Sequence, residues 1–148
     1  MTACARCGTD LPASAFYVRQ SRGRPSTICR ACTRRRDHAQ RTRSWLRFYA
    51  HLLQNAAKRH GVDPAVTPEF LVDLMIEQQG LCALTGRKLV RAVHNPNTAS
   101  IDRIDNARDY LTDNVRLVTW TVNRMRGDLT DEALLDWARA LLEYKDCR

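Results

Sequence analysis

Residues 100–125 read SIDRIDNARDYLTDNVRLVTWTVNRM, and this segment decides the expected fold. It opens with a short apolar strand pattern that carries Asp102, and a loop rich in Asp and Asn follows. A second apolar run covers residues 115–118, and a helix is expected around residues 120–125. The pattern therefore predicts an acid at the end of a strand, a loop closed by Asn114, and a helix that carries Asn123.

Oxygen-bearing side chains on these two elements suit a hard divalent cation. Asp102 and Asn123 offer the ligand types that Mg²⁺ takes in proteins, with water filling the remaining positions. Such a cation neutralises the scissile phosphate when a phosphodiester bond is cleaved. Asn114 can brace the loop by bonding its backbone, as Asx side chains commonly do. We therefore expect a catalytic Mg²⁺ or Mn²⁺ at Asp102 and Asn123.

Helix-capping residues and the periodicity of apolar residues predict the helices and strands that precede this segment. Two strands are expected, over residues 82–90 and 99–104, with a turn at residues 94–97. Thr67, followed by a proline and an acid, predicts the start of a helix that ends at Gly80. A longer helix is expected from a cap at Thr33 to Gly61, with its aromatic residues packed in the core. Downstream, Thr130 predicts the start of a last helix.

Four cysteines form two pairs with metal-ligand spacing. Cys4 and Cys7 make one C-x-x-C pair, Cys29 and Cys32 make the other, and 21 residues separate them. Two such pairs complete a closed tetrahedral site with no open position for water, so the pattern predicts one structural Zn²⁺ per chain. Nothing around them resembles the βαβ setting of redox pairs. The other two cysteines, Cys82 and Cys147, lack spaced partners and are expected to be ordinary thiols.

The chain is strongly basic, with a formal net charge of +8 over 148 residues. Such a surface attracts polyanions, nucleic acid first. From residue 19 to residue 47 the sequence holds ten arginines and one acid, which is typical of a surface that contacts phosphates. The expected DNA-binding residues are Arg34, Arg35, Arg36, Arg41 and Arg43. A solvated, self-repelling helix face is the alternative.

The apolar residues, 44% of the chain, support a modest core but form no run long enough to span a bilayer. The amino-terminal residues lack the apolar stretch of a signal peptide. These observations predict a cytoplasmic protein without a membrane partner.

The sequence resembles the HNH endonucleases, also called His-Me finger or ββα-metal nucleases. The similarity runs through residues 80–86 (GLCALTG), the strand that carries Asp102, then Tyr110, Asn114 and Asn123. The amino-terminal cysteine pairs, with Phe16 and Tyr17 between them, also resemble the zinc module that precedes HNH domains in many phage nucleases. The resemblance implies cleavage of double-stranded DNA in a bacterial or phage-infected cell.

The resemblance also implies roles for individual residues. Asp102 and Asn123 would bind the catalytic metal, and Asn114 would be the middle Asn of the motif. Arg103 stands where most of the family has the histidine general base, although one restriction endonuclease of the family also has Arg there. Because Arg stays protonated, it cannot be an ordinary base. Tyr110 and His94 remain open as the proton acceptor, and so does a base-free mechanism in which a metal-bound hydroxide attacks.

The expected fold class is α+β and mostly helical, with a ββα-metal core and an amino-terminal zinc module. We expect the zinc module over residues 1–33, basic and amphipathic helices over 34–79, the catalytic core over 80–128 and a carboxy-terminal helix over 129–148. Relatives in the family bind a second zinc within the core. This chain keeps only Cys82 of those ligands, so packing is expected to replace that ion.

The leading functional hypothesis is a metal-dependent DNA endonuclease of restriction, homing or phage-packaging type. A non-catalytic, zinc-dependent DNA-binding protein is the alternative, and both predict DNA binding that weakens with salt. An RNA-binding protein would need an aromatic platform motif, which the sequence lacks. Because one such site cuts one strand, symmetric cleavage of a duplex predicts a homodimer.

Overall fold

The computed structural model describes residues 1–18, 24–92 and 94–146. It divides into two compact units, Met1–Ser44 and Trp45–Arg148. The described residues form four helices and three two-stranded antiparallel sheets, which confirms a mixed class of helices and strands. None of the described helices combines the length and the apolar character needed to cross a bilayer.

The first unit is built from two small hairpins around the cysteine pairs. Strands β1 (Thr2–Ala3) and β2 (Asp10–Leu11) pair, and strands β3 (Phe16–Val18) and β4 (Pro25–Cys29) pair. Its buried side chains are Cys4, Phe16, Cys29 and Cys32. Strands β3 and β4 lie between the two cysteine pairs, and residues 19–23, which connect them, lie outside the described residues. Such a small core cannot hold a unit of this size without a further crosslink.

Helix α1 (Arg30–Ala56) starts and ends earlier than predicted. The chain passes from β4 directly into the helix, so Thr33 lies inside it and is not its cap, and Cys32 occupies the first turn. At the other end, residues 57–60 form turns, and Gly61 leaves the helix axis to pair with Tyr110. The tertiary pairing ends the helix before the glycine that was expected to do so.

The second unit has one apolar core. Helix α2 (Pro68–Glu77) starts as predicted, because the Thr67 hydroxyl accepts a hydrogen bond from the Phe70 amide at 3.1 Å. Tyr49, Leu71, Leu117 and Val118 lie in the core and are fully buried, and the other aromatic residues of α1 pack against them as expected. The core provides the rigid base on which the polar residues of the next elements are held.

The expected strand over residues 82–90 is wrong. In its place the chain makes a tight turn, in which the Cys82 amide donates to the Arg87 carbonyl and the Gly86 amide donates back to the Cys82 carbonyl. Gly86 has φ +64°, a left-handed conformation that glycine adopts without strain. Because the backbone groups bond locally, only the isolated bridges of Leu81 with Lys88 and Val90 with Thr98 remain.

The sheet that positions the polar residues is therefore β5 (Ala99–Arg103) with β6 (Val115–Thr119). Their register places Asp102 opposite Arg116 and Ala99 opposite Thr119. Helix α3 (Trp120–Arg126) follows β6 without a loop, because Thr119 caps it. Helix α4 (Asp131–Asp146) completes the unit. The expected strand over residues 99–104 and helix around residues 120–125 are confirmed, and the apolar run over residues 115–118 lies in the second strand of the sheet.

Candidate active site

Asp102 lies at the end of β5 and is only 3% exposed. Its Oδ2 accepts a hydrogen bond from Arg116 Nε at 2.7 Å, and its Oδ1 accepts one from Arg126 Nη1 at 3.0 Å. Asp131, at the start of α4, binds the same two guanidinium groups. The two acids and two arginines form a balanced network in which each buried charge has a partner, as burial requires.

Arg126 is the centre of that network and is 2% exposed. Besides the two carboxylates, its guanidinium donates to the carbonyls of Arg103 and Ile104 and to Oδ1 of Asn106. Five hydrogen bonds from one side chain thus tie α3 to the end of β5 and to α4. Arg126 fixes where the strand that carries Asp102 ends.

Asn123 lies one helical turn before Arg126, on the side of α3 that faces β5. Its Nδ2 donates to Ser100 Oγ at 2.7 Å and to the Ile101 carbonyl at 3.3 Å. No hydrogen bond among the described residues uses its Oδ1. The amide orientation therefore leaves an oxygen available for another ligand.

Asn114 is buried at the far end of the loop between β5 and β6. Its Oδ1 accepts from the Asp105 amide at 2.8 Å, and its Nδ2 donates to the carbonyls of Asp105 and Asp109 at 3.0 and 2.9 Å. A side chain that bonds both ends of a loop holds the loop in one conformation. Tyr110 follows Asp109 directly, so Asn114 also fixes the position of that tyrosine.

Arg103 and Tyr110 contact each other. The Arg103 guanidinium lies over the Tyr110 ring, 5.5 Å from its centroid, and Nη1 donates to the Arg108 carbonyl at 3.1 Å. Burial raises the pKa of Tyr110, although the positive charge of Arg103 opposes the rise. A phenol with a raised pKa keeps its proton at neutral pH, so it is a poor proton acceptor.

Tyr110 and Asn123 line one cleft of about 500 Å³. The cleft has a polar, basic wall and a small apolar part, and its other lining residues are Leu52, Asn55, Ala56, Lys58, Arg59, His60, Ser100 and Ile101. Positive side chains in a concave surface attract phosphate. The His60 ring lies 5.9 Å from the Tyr110 ring, centroid to centroid. The structure therefore places two of the expected site residues beside a histidine that sequence reasoning missed.

His94, an expected alternative for the proton acceptor, lines a different cavity of about 640 Å³ with Phe48 and Trp120. It has φ +57° in a turn, where its neighbours Asn95 and Asn97 form an Asx hydrogen bond of 2.9 Å. The structure does not bring His94 together with Tyr110 and Asn123 at the lining of one cleft.

Asp102 and Asn123 carry oxygen ligands of the type that a divalent cation takes. A carboxylate offers about four lone-pair directions, and the two guanidinium hydrogen bonds to Asp102 occupy two of them. Oδ1 of Asn123 adds a neutral oxygen ligand. The two guanidinium charges beside Asp102 repel a further cation. These two residues would therefore hold Mg²⁺ or Mn²⁺ weakly by themselves.

The four cysteines of the first unit meet as predicted. The sulfurs of Cys4, Cys7, Cys29 and Cys32 lie within 4.8 Å of one another, and all except Cys7 are buried. The amides of Cys29 and Arg6 point at Cys4 Sγ, at 3.3 and 3.5 Å, and such bonds lower the pKa of Cys4 to about 6. A thiolate at neutral pH is the form that binds metal. The cluster fits a structural metal such as zinc.

The five arginines expected to bind DNA lie in the part of α1 that belongs to the first unit. All five expected DNA-binding side chains are exposed: Arg34, Arg35, Arg36, Arg41 and Arg43. Arg36 pairs with Asp37 at 3.1 Å, and Arg41 Nε donates to the Asp37 carbonyl. Most of their positive charge therefore remains uncompensated along this half of the helix.

Comparison with known proteins gives one neighbour of similar length. No protein-family model matches this chain, and no curated protein matches it. Among solved structures it is similar to the rare-cutting HNH restriction endonuclease PacI. The TM-score is 0.41 and the identity 22%, over 97% of this chain and 95% of that chain.

Sequence reasoning missed Arg116, Arg126, Asp131 and His60. Asn123 and Arg126 are three residues apart on a helix, which places them on one face, so the helical spacing did hold a signal for Arg126. His60 carries no comparable signal, because its neighbour Tyr110 is distant in sequence and the contact depends on the tertiary fold.

Proposed function

We propose that the chain is an endonuclease of the HNH type that hydrolyses DNA phosphodiester bonds with Mg²⁺ or Mn²⁺. The observation that carries the proposal is the cleft, because Tyr110 and Asn123 come from different elements and line it together with Lys58 and Arg59. The resemblance of residues 80–123 to the HNH motif supplies the reaction class. The arrangement supports phosphate binding next to a metal ligand.

In this proposal Asp102 and Asn123 hold the catalytic cation. A cation bound there would neutralise charge on the scissile phosphate and help to generate the attacking hydroxide. The weak donor set predicts that a DNA phosphate completes the site, so that metal and substrate bind together. Asn114 would act as a positioning residue, because it fixes the loop that carries Tyr110.

Arg103 would contact the phosphate in place of the usual histidine. Its planar guanidinium presents paired N–H donors that match phosphate oxygens. Stacking on Tyr110 holds the guanidinium plane. The exposed arginines of α1 would contact the DNA backbone outside the cleft, where they give affinity without sequence information.

We further propose that the protein acts on double-stranded DNA as a homodimer, in the cytoplasm of a bacterial or phage-infected cell. One cleft suffices for one strand, and two clefts related by a twofold axis would cut both. Sedimentation velocity under cleavage conditions tests the assembly. If the protein is monomeric at every concentration that supports double-strand cutting, the proposed homodimer is wrong.

A non-catalytic, zinc-dependent DNA-binding protein is the second candidate function. The specific observation that favours it is Asp102, whose two oxygens bind guanidinium groups as a structural ion pair would. The zinc module and the basic half of α1 serve this function equally well. Metal-dependent cleavage separates the two candidates.

The decisive experiment incubates the purified protein with a large plasmid or phage genome, with Mg²⁺ or Mn²⁺, and sequences the ends produced. Asn123→Ala is the test variant, because Asp102→Ala would remove one of the two carboxylate partners of the buried Arg126 and disturb folding. Asn97→Ala, outside the cleft, is the matched control.

Cleavage by the parent and the control, with loss of cleavage but retained DNA binding in Asn123→Ala, supports the nuclease. If the protein binds duplex DNA but does not nick it with Mg²⁺ or Mn²⁺, the non-catalytic function is favoured instead.

A further inference from the structure

We propose that His60 is the proton acceptor of the cleft. The inference rests on the proposed nuclease function and deepens it, because Arg103 stands at the position where an HNH nuclease has its base. His60 lines the same cleft as Tyr110 and Asn123, and its ring lies 5.9 Å from the Tyr110 ring. It is exposed, so water and a phosphate can reach it.

The backbone after His60 is anchored to the loop that carries Tyr110. The Tyr110 amide donates to the Gly61 carbonyl at 3.1 Å, and the Asp63 amide donates to the Tyr110 carbonyl at 2.9 Å. The Gly61 amide donates to Asp109 Oδ1 at 3.0 Å. Since Asn114 fixes Asp109, His60 and Tyr110 are held on one framework. A general base needs this kind of fixed position relative to its substrate.

Among the described residues that line the cleft, His60 has the side chain best suited to accept a proton from water. Lys58 and Arg59 are donors without an acceptor lone pair when charged, and Arg103 remains a donor as well. Tyr110 keeps its proton, because its pKa is raised by burial. An imidazole is the side chain that ordinarily titrates between pH 5 and 8, and its neutral form offers a nitrogen lone pair.

Charged residues lie near His60 on its own segment and on the loop that carries Tyr110. Lys58 and Arg59 precede it on the same segment and line the cleft. Asp109 accepts a hydrogen bond from the amide of Gly61, the residue after His60, and Asp63 follows on the same segment. Arg103 lies over the Tyr110 ring, which the His60 ring contacts.

In the proposed step, water attacks the phosphorus and forms a new P–O bond while its proton passes to His60. The bond from phosphorus to the leaving sugar oxygen breaks, and its electron pair stays on that oxygen, which takes a proton from solvent. The imidazolium then returns its proton to solvent. No oxidant or reductant is needed, and the products are a phosphate monoester end and a hydroxyl end.

The test measures cleavage of a duplex that contains a site found by end sequencing, from pH 5 to 9. His60→Asn should lower kcat about 100-fold, the usual worth of a general base. DNA affinity measured by fluorescence anisotropy should change less than about twofold, since a base acts in the transition state. The fall of rate toward acid pH should disappear in this variant. Added imidazole should partly restore the rate of His60→Ala.

Two further variants make the result specific. His94→Asn removes the competing histidine, and His51→Asn is a control that removes an exposed imidazole of α1 hydrogen-bonded to Asn55. The assignment of His60 is wrong if His94→Asn abolishes the fall of rate toward acid pH, or if His60→Asn keeps a kcat close to that of the parent. In either case the proposed nuclease function stands. A parent protein that never cleaves DNA refutes the proposed function itself, and the role of His60 falls with it.

Discussion

Arg126 Nη1 lies 3.0 Å from Asp102 Oδ1, and each side chain is almost fully buried. A buried pair of this kind gains little over well-packed apolar residues, but removal of one partner leaves a charge that cannot reach water. The same pair joins the strand that carries a proposed metal ligand to the helix that carries the other. Folding and chemistry at this position are therefore coupled.

The first prediction concerns that pair. Arg126→Leu should lower the free energy of unfolding by about 3–5 kcal/mol, because it leaves buried Asp102 with only Arg116 as a charged partner and breaks five hydrogen bonds. Urea denaturation followed by circular dichroism measures the change. Arg108→Leu is the matched control, since its partner Asp113 is exposed and exposed ion pairs contribute little. Equal losses in the two variants would contradict the structural importance of Arg126.

The second prediction concerns pH. The Arg116 guanidinium holds the pKa of Asp131 below its ordinary value. A carboxyl whose pKa is lower in the folded than in the unfolded chain stabilises the fold above its unfolded pKa, and this contribution is lost as pH falls through the folded pKa. Melting temperature should therefore decline below about pH 4. Asp131→Asn should be less stable at pH 7 and decline less steeply, and a parallel decline would count against the ion pair.

The third prediction concerns the cysteine cluster. The purified protein should contain one zinc per chain by elemental analysis, and Cys4→Ser should lose it. Cys82→Ser should keep it, because Cys82 lies in the other unit. Since the pKa of Cys4 is lowered to about 6, protons should compete with the metal below that pH and release it to a chelator. If Cys4→Ser and Cys82→Ser contain the same amount of zinc, the four-cysteine cluster is not the zinc site.

The fourth prediction concerns Gly61. A Cβ at this position would overlap the Asp109 carboxylate, which bonds the Gly61 amide. Gly61→Ala should therefore push the Asp109 carboxylate aside, break its hydrogen bond to the residue 61 amide and lower kcat, with little effect on zinc content. Gly8→Ala, where the added atom has open space, serves as a comparison, although its φ of +70° makes that change strained in its own right. Unchanged cleavage in Gly61→Ala would show that the anchoring is dispensable.

The helices and strands that were predicted correctly depend on residues that lie close together in the sequence. The Thr67 cap, the strand that carries Asp102 and the helix that carries Asn123 all depend on side chains within a few residues of one another. The strand predicted over residues 82–90 is absent, because the backbone groups of this segment bond to one another in a turn at Gly86. Its apolar pattern reflects burial of side chains and not strand pairing. Apolar periodicity reports burial, and it does not report which backbone groups pair.

The residues that were missed have non-local causes. Arg126 is a long charged side chain, which is almost never fully buried unless it is paired, and its partners come from three elements. His60 stands in a turn after α1 and gains its neighbour through a pairing with the Tyr110 loop. The spacing of Asn123 and Arg126 indicated the face of α3 on which Arg126 lies but not its partners, and no sequence spacing could have predicted the contact of His60 with Tyr110.

The exposure of Cys7 has a consequence for handling the protein. Three sulfurs of its cluster are shielded, so a peroxide or an electrophilic reagent meets Cys7 first. Modification of that one atom removes a quarter of the ligand shell and opens the rest to attack. Storage without a reductant should therefore inactivate the amino-terminal unit before it damages the apolar core.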